Sequence, residues 1–142
     1  MDELHVFLYM NVLALDFGLK RIGLSVGSTE SGIAFVRDVL MNDADCFQSL
    51  DALVDQEHIA HILVGMPYKR DGASGDIHGE LTSFLEELKS RYSLPIVLFD
   101  ERYTSKMARE KLKDLELTKS ERKEPIDSFA AQILLQEWLE SQ

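Results

Sequence analysis

Val12-Leu13-Ala14-Leu15-Asp16-Phe17-Gly18 is the stretch that decides the fold. Four successive apolar residues present no polar face to water, so 12–15 read as a strand buried on both sides. Gly18 to Arg21 then reads as a tight turn. Ile22, Leu24 and Val26 alternate with Gly23, Ser25 and Gly27, which predicts a second strand, and Gly32 to Leu40 predicts a third. The three together read as an antiparallel meander.

Beyond residue 40 the apolar period changes. Asp43 or Asn42 is placed to cap a helix whose apolar positions are Phe47, Leu50, Leu53 and Val54. Ile62-Leu63-Val64 reads as a short buried strand stopped at Gly65-Met66-Pro67. Leu81, Phe84, Leu85 and Leu88 define a second amphipathic helix, and Ile96 to Phe99 a strand ending at Asp100-Glu101. Two helices close the chain, from Thr104 to about Leu115 and from Pro125 to about Glu140; Pro125 suits a first helical position. The order β-β-β-α-β-α-β-α-α, with right-handed crossovers, predicts an α/β domain spanning 1–142. Its five-stranded mixed sheet has three antiparallel and then parallel strands, with helices on both faces.

Composition excludes several classes. The 142 residues are 45% apolar and 28% charged, as in an ordinary globular domain, and a chain of this length buries about two thirds of its unfolded surface without staples. A single cysteine, Cys46, allows neither an internal disulfide nor a Cys/His zinc cluster, as in a reducing cytosol. The apolar run from Val6 to Leu15 is broken by Asn11 and falls short of the ~20 residues that span a bilayer. It follows Asp2 and Glu3, not a basic segment, so it does not read as a signal peptide. The expectation is a cytoplasmic protein that does not enter a membrane.

The net charge is −10, but its distribution is uneven. Between Arg102 and Lys123 lie eight basic residues against four acidic ones, an excess of +4 on a remainder of −14. Such a segment can guide a polyanion to one face of an acidic body, or it can be a solvated helix of mixed charge.

Carboxylates fall where chemistry is expected. Ligands of open parallel sheets bind beyond the carboxyl ends of the strands; Asp16 closes the first predicted strand and Glu101 the last. Asp127 sits in the first turn of the last helix, on the side of Ala130, Ala131 and Leu134. A carboxylate on an apolar face needs a partner, because its desolvation costs several kcal/mol. Three converging carboxylates without His or Cys suit a hard divalent cation, Mg2+ or Mn2+, and displacement at phosphorus. Asp16 also fits a turn, and Asp127 a helix N-terminus. Lys20 and Arg21 are placed either to hold a phosphate or as plain turn charges. Asp16-Phe17-Gly18 spells a kinase magnesium motif, but the other kinase motifs and half the length are missing. The loop from Gly65 through Asp71-Gly72 to Gly75 could approach a phosphate or simply connect. His5, His58, His61 and His78 have no ligand spacing.

These residues carry a family resemblance. Leu15-Asp16-Phe17-Gly18-Leu19-Lys20-Arg21-Ile22-Gly23 resembles the opening motif of the YqgF family, also called RuvX. Val64-Gly65-Met66-Pro67 through Asp71-Gly72 resembles its second motif, Phe99 to Ser105 its third, and Ile126-Asp127-Ser128-Phe129-Ala130-Ala131 its fourth. The resemblance runs from about Asn11 to Leu139. It implies a ribonuclease H-like fold and a metal-dependent nuclease with Asp16, Glu101 and Asp127 as catalytic acids and ligands of Mg2+ or Mn2+. It also implies a nucleic-acid substrate, either the 5′ end of precursor 16S rRNA or, as in the RuvC resolvases, a four-way DNA junction. Arg102, Thr104 and Ser105 are then candidates for contacting the scissile strand. Where members commonly carry a basic Lys-Gly-like pair before the last acid, this chain has Lys123-Glu124-Pro125. Strand binding is therefore expected to lean on Arg109, Arg122 and Lys123.

Two other functions compete with the nuclease. An actin-like phosphotransferase shares the Asp-x-Gly opening but needs two such domains. A non-catalytic nucleic-acid-binding factor would gain nothing from bare carboxylates. Tyr68 and Tyr103 are the expected stacking aromatics. A resolvase would have to be a homodimer, with the 104–115 helix as the candidate interface; a processing nuclease can be a monomer.

Overall fold

The computed structural model describes residues 9–66, 77–100, 106–119 and 127–142, with Met66, Asp100, 116–119 and Asp127 described through their backbone. Five strands run in the order β1 (Asn11–Asp16), β2 (Arg21–Ser28), β3 (Ala34–Met41), β4 (Ile59–Met66) and β5 (Ile96–Asp100). The helices are α1 (Cys46–Gln56), α2 (Ile77–Arg91), α3 (Lys106–Lys119) and α4 (Asp127–Glu140). In the sheet the strands lie β3-β2-β1-β4-β5. β1 pairs antiparallel with β2 and parallel with β4, and β4 pairs parallel with β5. The expected meander and mixed sheet are both present.

The apolar run does what its composition dictates. Val12, Leu13, Ala14 and Leu15 are 0–1% exposed, because β1 is the central strand and each face carries its own core. Leu13 and Leu15 join Ile22, Leu24, Val26, Ile62 and Val64 beneath α1 and α2, which contribute Leu50, Leu81, Phe84 and Leu88. Val12 and Ala14 face the other way, with Leu63, Ala34 and, from α4, Leu135 and Leu139. The two helical layers are thus on opposite faces, as expected.

Element ends differ from the sequence reading for identifiable reasons. Gly32 has φ 70°, a left-handed conformation that belongs to a turn, so β3 begins at Ala34. β4 extends well beyond Ile62–Val64, to Ile59–Met66, since pairing with β1 carries polar His61 into the ladder. α3 continues to Lys119, past the expected end near Leu115. Neither Asn42 nor Asp43 is the N-cap of α1. Asp45 occupies that position without a side-chain bond, while Asp43 Oδ1 accepts from the Asp45 N–H at 3.0 Å and Asn42 Nδ2 donates to the Gly18 carbonyl at 2.9 Å. Asn42 therefore ties the end of β3 to the β1–β2 turn. Pro125 lies outside the described residues, and α4 begins at Asp127.

α4 is the helix whose contact face differs most from the usual pattern. Ala131, Leu134, Leu135 and Leu139 are buried against the sheet, yet a polar row at four-residue spacing reaches the same sheet. Ser128 Oγ accepts from the Leu24 N–H at 3.1 Å, Gln132 Nε2 donates to the Ala34 carbonyl at 3.1 Å, and Gln136 Oε1 accepts from the Ala34 N–H at 3.0 Å. Gln136 Nε2 also donates to the Gly32 carbonyl at 2.9 Å. Residues four apart share one helix face, so this row fixes α4 in rotation and along its axis against β2 and the start of β3.

Candidate active site

Asp16 is the last residue of β1, half-buried at the carboxyl end of the sheet's central strand. Strand alternation puts it on the face of Val12 and Ala14, where α4 packs. Its cross-strand partners are Gly23 on β2 and Gly65 on β4. Neither cross-strand neighbour of Asp16 carries a Cβ. Gly65 has a second constraint, because a methyl group there would collide with Leu134 of α4.

The same sheet edge receives the other acids' elements. Gly65 pairs with Phe99 and Met66 with Asp100, so β5 delivers the chain there, and Glu101 is the next residue. Phe99 stands level with Asp16 two strands away, about 10 Å at the usual strand spacing. α4 opens with Asp127, and the neighbouring Ser128 is bonded to Leu24, the residue after Gly23. The backbone of Asp127 is therefore brought to the strand pair that holds Asp16. Glu101 and the side chain of Asp127 lie outside the described residues, and among those described no cluster of three potential metal ligands occurs.

Of the basic and polar candidates, Lys20 and Arg21 are exposed at the β1–β2 turn beside Asp16, and Arg109 is exposed on α3. That turn needs a glycine, since a Cβ at Gly18 would strike the Arg21 carbonyl oxygen. Arg102, Thr104, Ser105, Arg122 and Lys123 lie outside the described residues, as do Tyr68 and Tyr103. Among the described residues at this edge, Asp16 offers carboxylate oxygens, the donor type a hard cation takes. His61, on the α4 face of β4, is not part of it: its ring packs 5.2 Å from that of Trp138, and burial pushes its pKa down.

One aromatic escaped the sequence reading. Phe129 is 45% exposed and, with Ser128, lines an open groove of about 440 Å³ against Val36, Arg37, Asp38 and Val39 of β3. Arg37 at this groove is engaged, its Nη2 lying 2.9 Å from Glu57 Oε1. Helical spacing separates Phe129 from the buried Ala131, Leu134 and Leu135, and that spacing was the available signal.

A central strand ending in an acid, in a sheet ordered β3-β2-β1-β4-β5 with helices on both faces, defines a ribonuclease H-like domain. Solved structures of that fold agree. T. thermophilus RuvC, determined with a Holliday junction substrate, superposes with TM-score 0.56 at 14% identity, covering 93% of this chain and 94% of that one. The fowlpox virus Holliday junction resolvase gives 0.55 at 11% identity, covering 94% and 100%.

The chain belongs to the RuvX family, whose model, described as Holliday junction resolvase, matches residues 10–141. A relative in Maridesulfovibrio salexigens is 36% identical over 133 residues, covering 92% of this chain and 98% of its own. One in Nitrosospira multiformis is 34% identical over 130 residues, covering 90% and 86%. Both carry the name "Putative pre-16S rRNA nuclease".

Proposed function

We propose that this protein is a metal-dependent endonuclease of one domain, acting in the cytoplasm on the 5′ end of precursor 16S rRNA. The observation that carries the reading is Asp16 at the end of the central strand, flanked by Gly23 and Gly65, on the face where α4 starts with Asp127. Glu101 follows Phe99 at even spacing and completes the acids. Asp16, Glu101 and Asp127 would hold Mg2+ or Mn2+, and the names of the relatives supply the RNA substrate.

When bound, the cation supplies positive charge that offsets the charge building on the phosphate oxygens. The chain's own residues do the rest. Lys20 and Arg21, exposed at the turn beside Asp16, attract the substrate strand there. Arg102, Thr104, Ser105, Arg109, Arg122 and Lys123 extend that contact along the basic segment. Phe129 offers an unstacked base an exposed ring at the start of α4. Hydrolysis joins the water oxygen to phosphorus and releases one sugar oxygen, which takes up a proton.

The test is cleavage with Mg2+ or Mn2+ of a labelled 16S fragment carrying its 5′ leader, beside a labelled four-way DNA junction. Metal-dependent trimming of the RNA, absent in Asp16→Asn while RNA binding persists, is the expected result. Symmetric cutting of the junction alone would replace this reading with a homodimeric resolvase, the activity the family description names. Binding without cleavage of either substrate would replace it with a non-catalytic factor.

A further inference from the structure

β3 carries a bulge opposite the candidate site. Ile22 pairs with Leu40 but Leu24 pairs with Arg37, so Asp38 and Val39 together stand opposite Gly23. Bulges of this two-against-one kind disturb the ladder locally and recur beside active sites. Here the Leu24 N–H donates to Ser128 Oγ in a buried hydrogen bond spanning 104 residues of chain. Ser128 is 7% exposed. It differs from the two glutamines below it on α4, which bind the start of β3, one and two turns further from Asp127.

The bond joins two short connections. On one side Ser128 is covalently next to Asp127; on the other, Leu24 is next to Gly23, the cross-strand partner of Asp16. We infer that Ser128 is a positioning residue, whose hydroxyl, engaged by the Leu24 N–H at the β3 bulge, sets the spacing between Asp127 and Asp16 and thereby the cation affinity of the site. The inference rests on the nuclease reading of those acids. Without the hydroxyl, Leu24 keeps a buried amide with no acceptor from α4, and the first turn of the helix loses its only described side-chain bond to β2. Gln132 and Gln136 still hold the rest of α4, so the helix stays docked while its N-terminus loosens.

The experiment measures Mn2+ affinity of the substrate-free protein by electron paramagnetic resonance, with kcat, KM and Tm, for Ser128→Ala, Ser128→Thr, Gln136→Ala and Asp127→Asn. Partners one shell removed from a metal typically change its affinity about 10–100-fold. Ser128→Ala is expected to weaken Mn2+ binding at least about tenfold and to lower kcat with KM little changed, as for an interaction that matters beyond substrate binding. Ser128→Thr, which keeps the hydroxyl, restores both. Gln136→Ala lowers Tm but leaves Mn2+ affinity as in the parent. Parent-like Mn2+ affinity in Ser128→Ala, or equal affinity losses in Ser128→Ala and Gln136→Ala, overturns the inference. Asp127→Asn separates the two readings. If it binds Mn2+ and cleaves like the parent, the acid itself was misassigned; if it is inactive while Ser128→Ala is unaffected, only the positioning role fails.

Discussion

Gly65→Ala and Gly79→Ala are one chemical change with opposite expected signs. A Cβ at Gly65 meets Leu134 Cδ1 well inside van der Waals contact and lies 3.5 Å from the Leu15 carbonyl oxygen. Leu134 is 1% exposed, so its methyl has no solvent to turn into and the strain passes to α4. Overpacking of this kind costs about 1–3 kcal/mol. At roughly 3 °C per kcal/mol for a chain of this size, Tm falls by about 3–9 °C. At Gly79, near the start of α2, an added Cβ finds nothing within 4 Å, and the change only removes freedom from the unfolded chain. A gain of about 0.4–1 kcal/mol is expected there, raising Tm by roughly 1–3 °C. Differential scanning calorimetry reads both. Gly65 also pairs with Asp16, so Gly65→Ala should lose cleavage activity at temperatures where it is fully folded, whereas Gly79→Ala keeps it. A Gly65→Ala protein as stable as the parent would refute the packing argument, because Leu134 would then have yielded without cost.

Further outcomes follow from single residues. Burial lowers the pKa of His61, and its Nε2 has no hydrogen-bond partner among the described residues. The unfolded chain therefore takes up the proton first, at about 6.5. The stability that depends on the neutral ring is whole above that value and is lost as pH falls toward the folded pKa. His61→Leu should flatten the difference between urea midpoints at pH 7.5 and 5.5; an unchanged slope would exclude His61 as its source. Phe129→Ala should weaken single-stranded RNA binding by about 1–3 kcal/mol, the usual worth of one aromatic–base stack, while leaving Mn2+ affinity intact. Equal affinity in filter binding would remove the aromatic from the substrate path. Cys46 is buried, and its thiol pKa is raised by burial and then by the Asp43 charge. Alkylation at neutral pH should accordingly be slow in the native state and fast in denaturant; rapid native labelling would contradict that burial.

Much of this protein could be read along the chain, because the relevant physics is local. Four apolar residues in a row, ended by Asp16-Phe17-Gly18, read as a strand covered on both sides, and Val12 to Leu15 are that strand. The alternation at Ile22, Leu24 and Val26 assigned one face of β2, and Asp16 stood at a strand end by its position after the run. The caps were less legible: Asn42, Asp43 and Asp45 are all good capping residues, and Asn42 was drawn instead to the Gly18 carbonyl of another turn. α4 was hardest to interpret, since its Ser128, Gln132 and Gln136 look like solvent-facing polar residues until the sheet's own amides and carbonyls are placed beneath them.

The sequence by itself determined the order of elements and a first strand buried on both faces, since those depend on neighbours along the chain. Tertiary structure alone decided that Gly23 and Gly65 flank Asp16, that β3 bulges opposite Gly23, and that Ser128 binds Leu24 beside that bulge. Each of these depends on register between segments far apart in sequence, and register is set by which backbone groups remain to be paired once the core has closed.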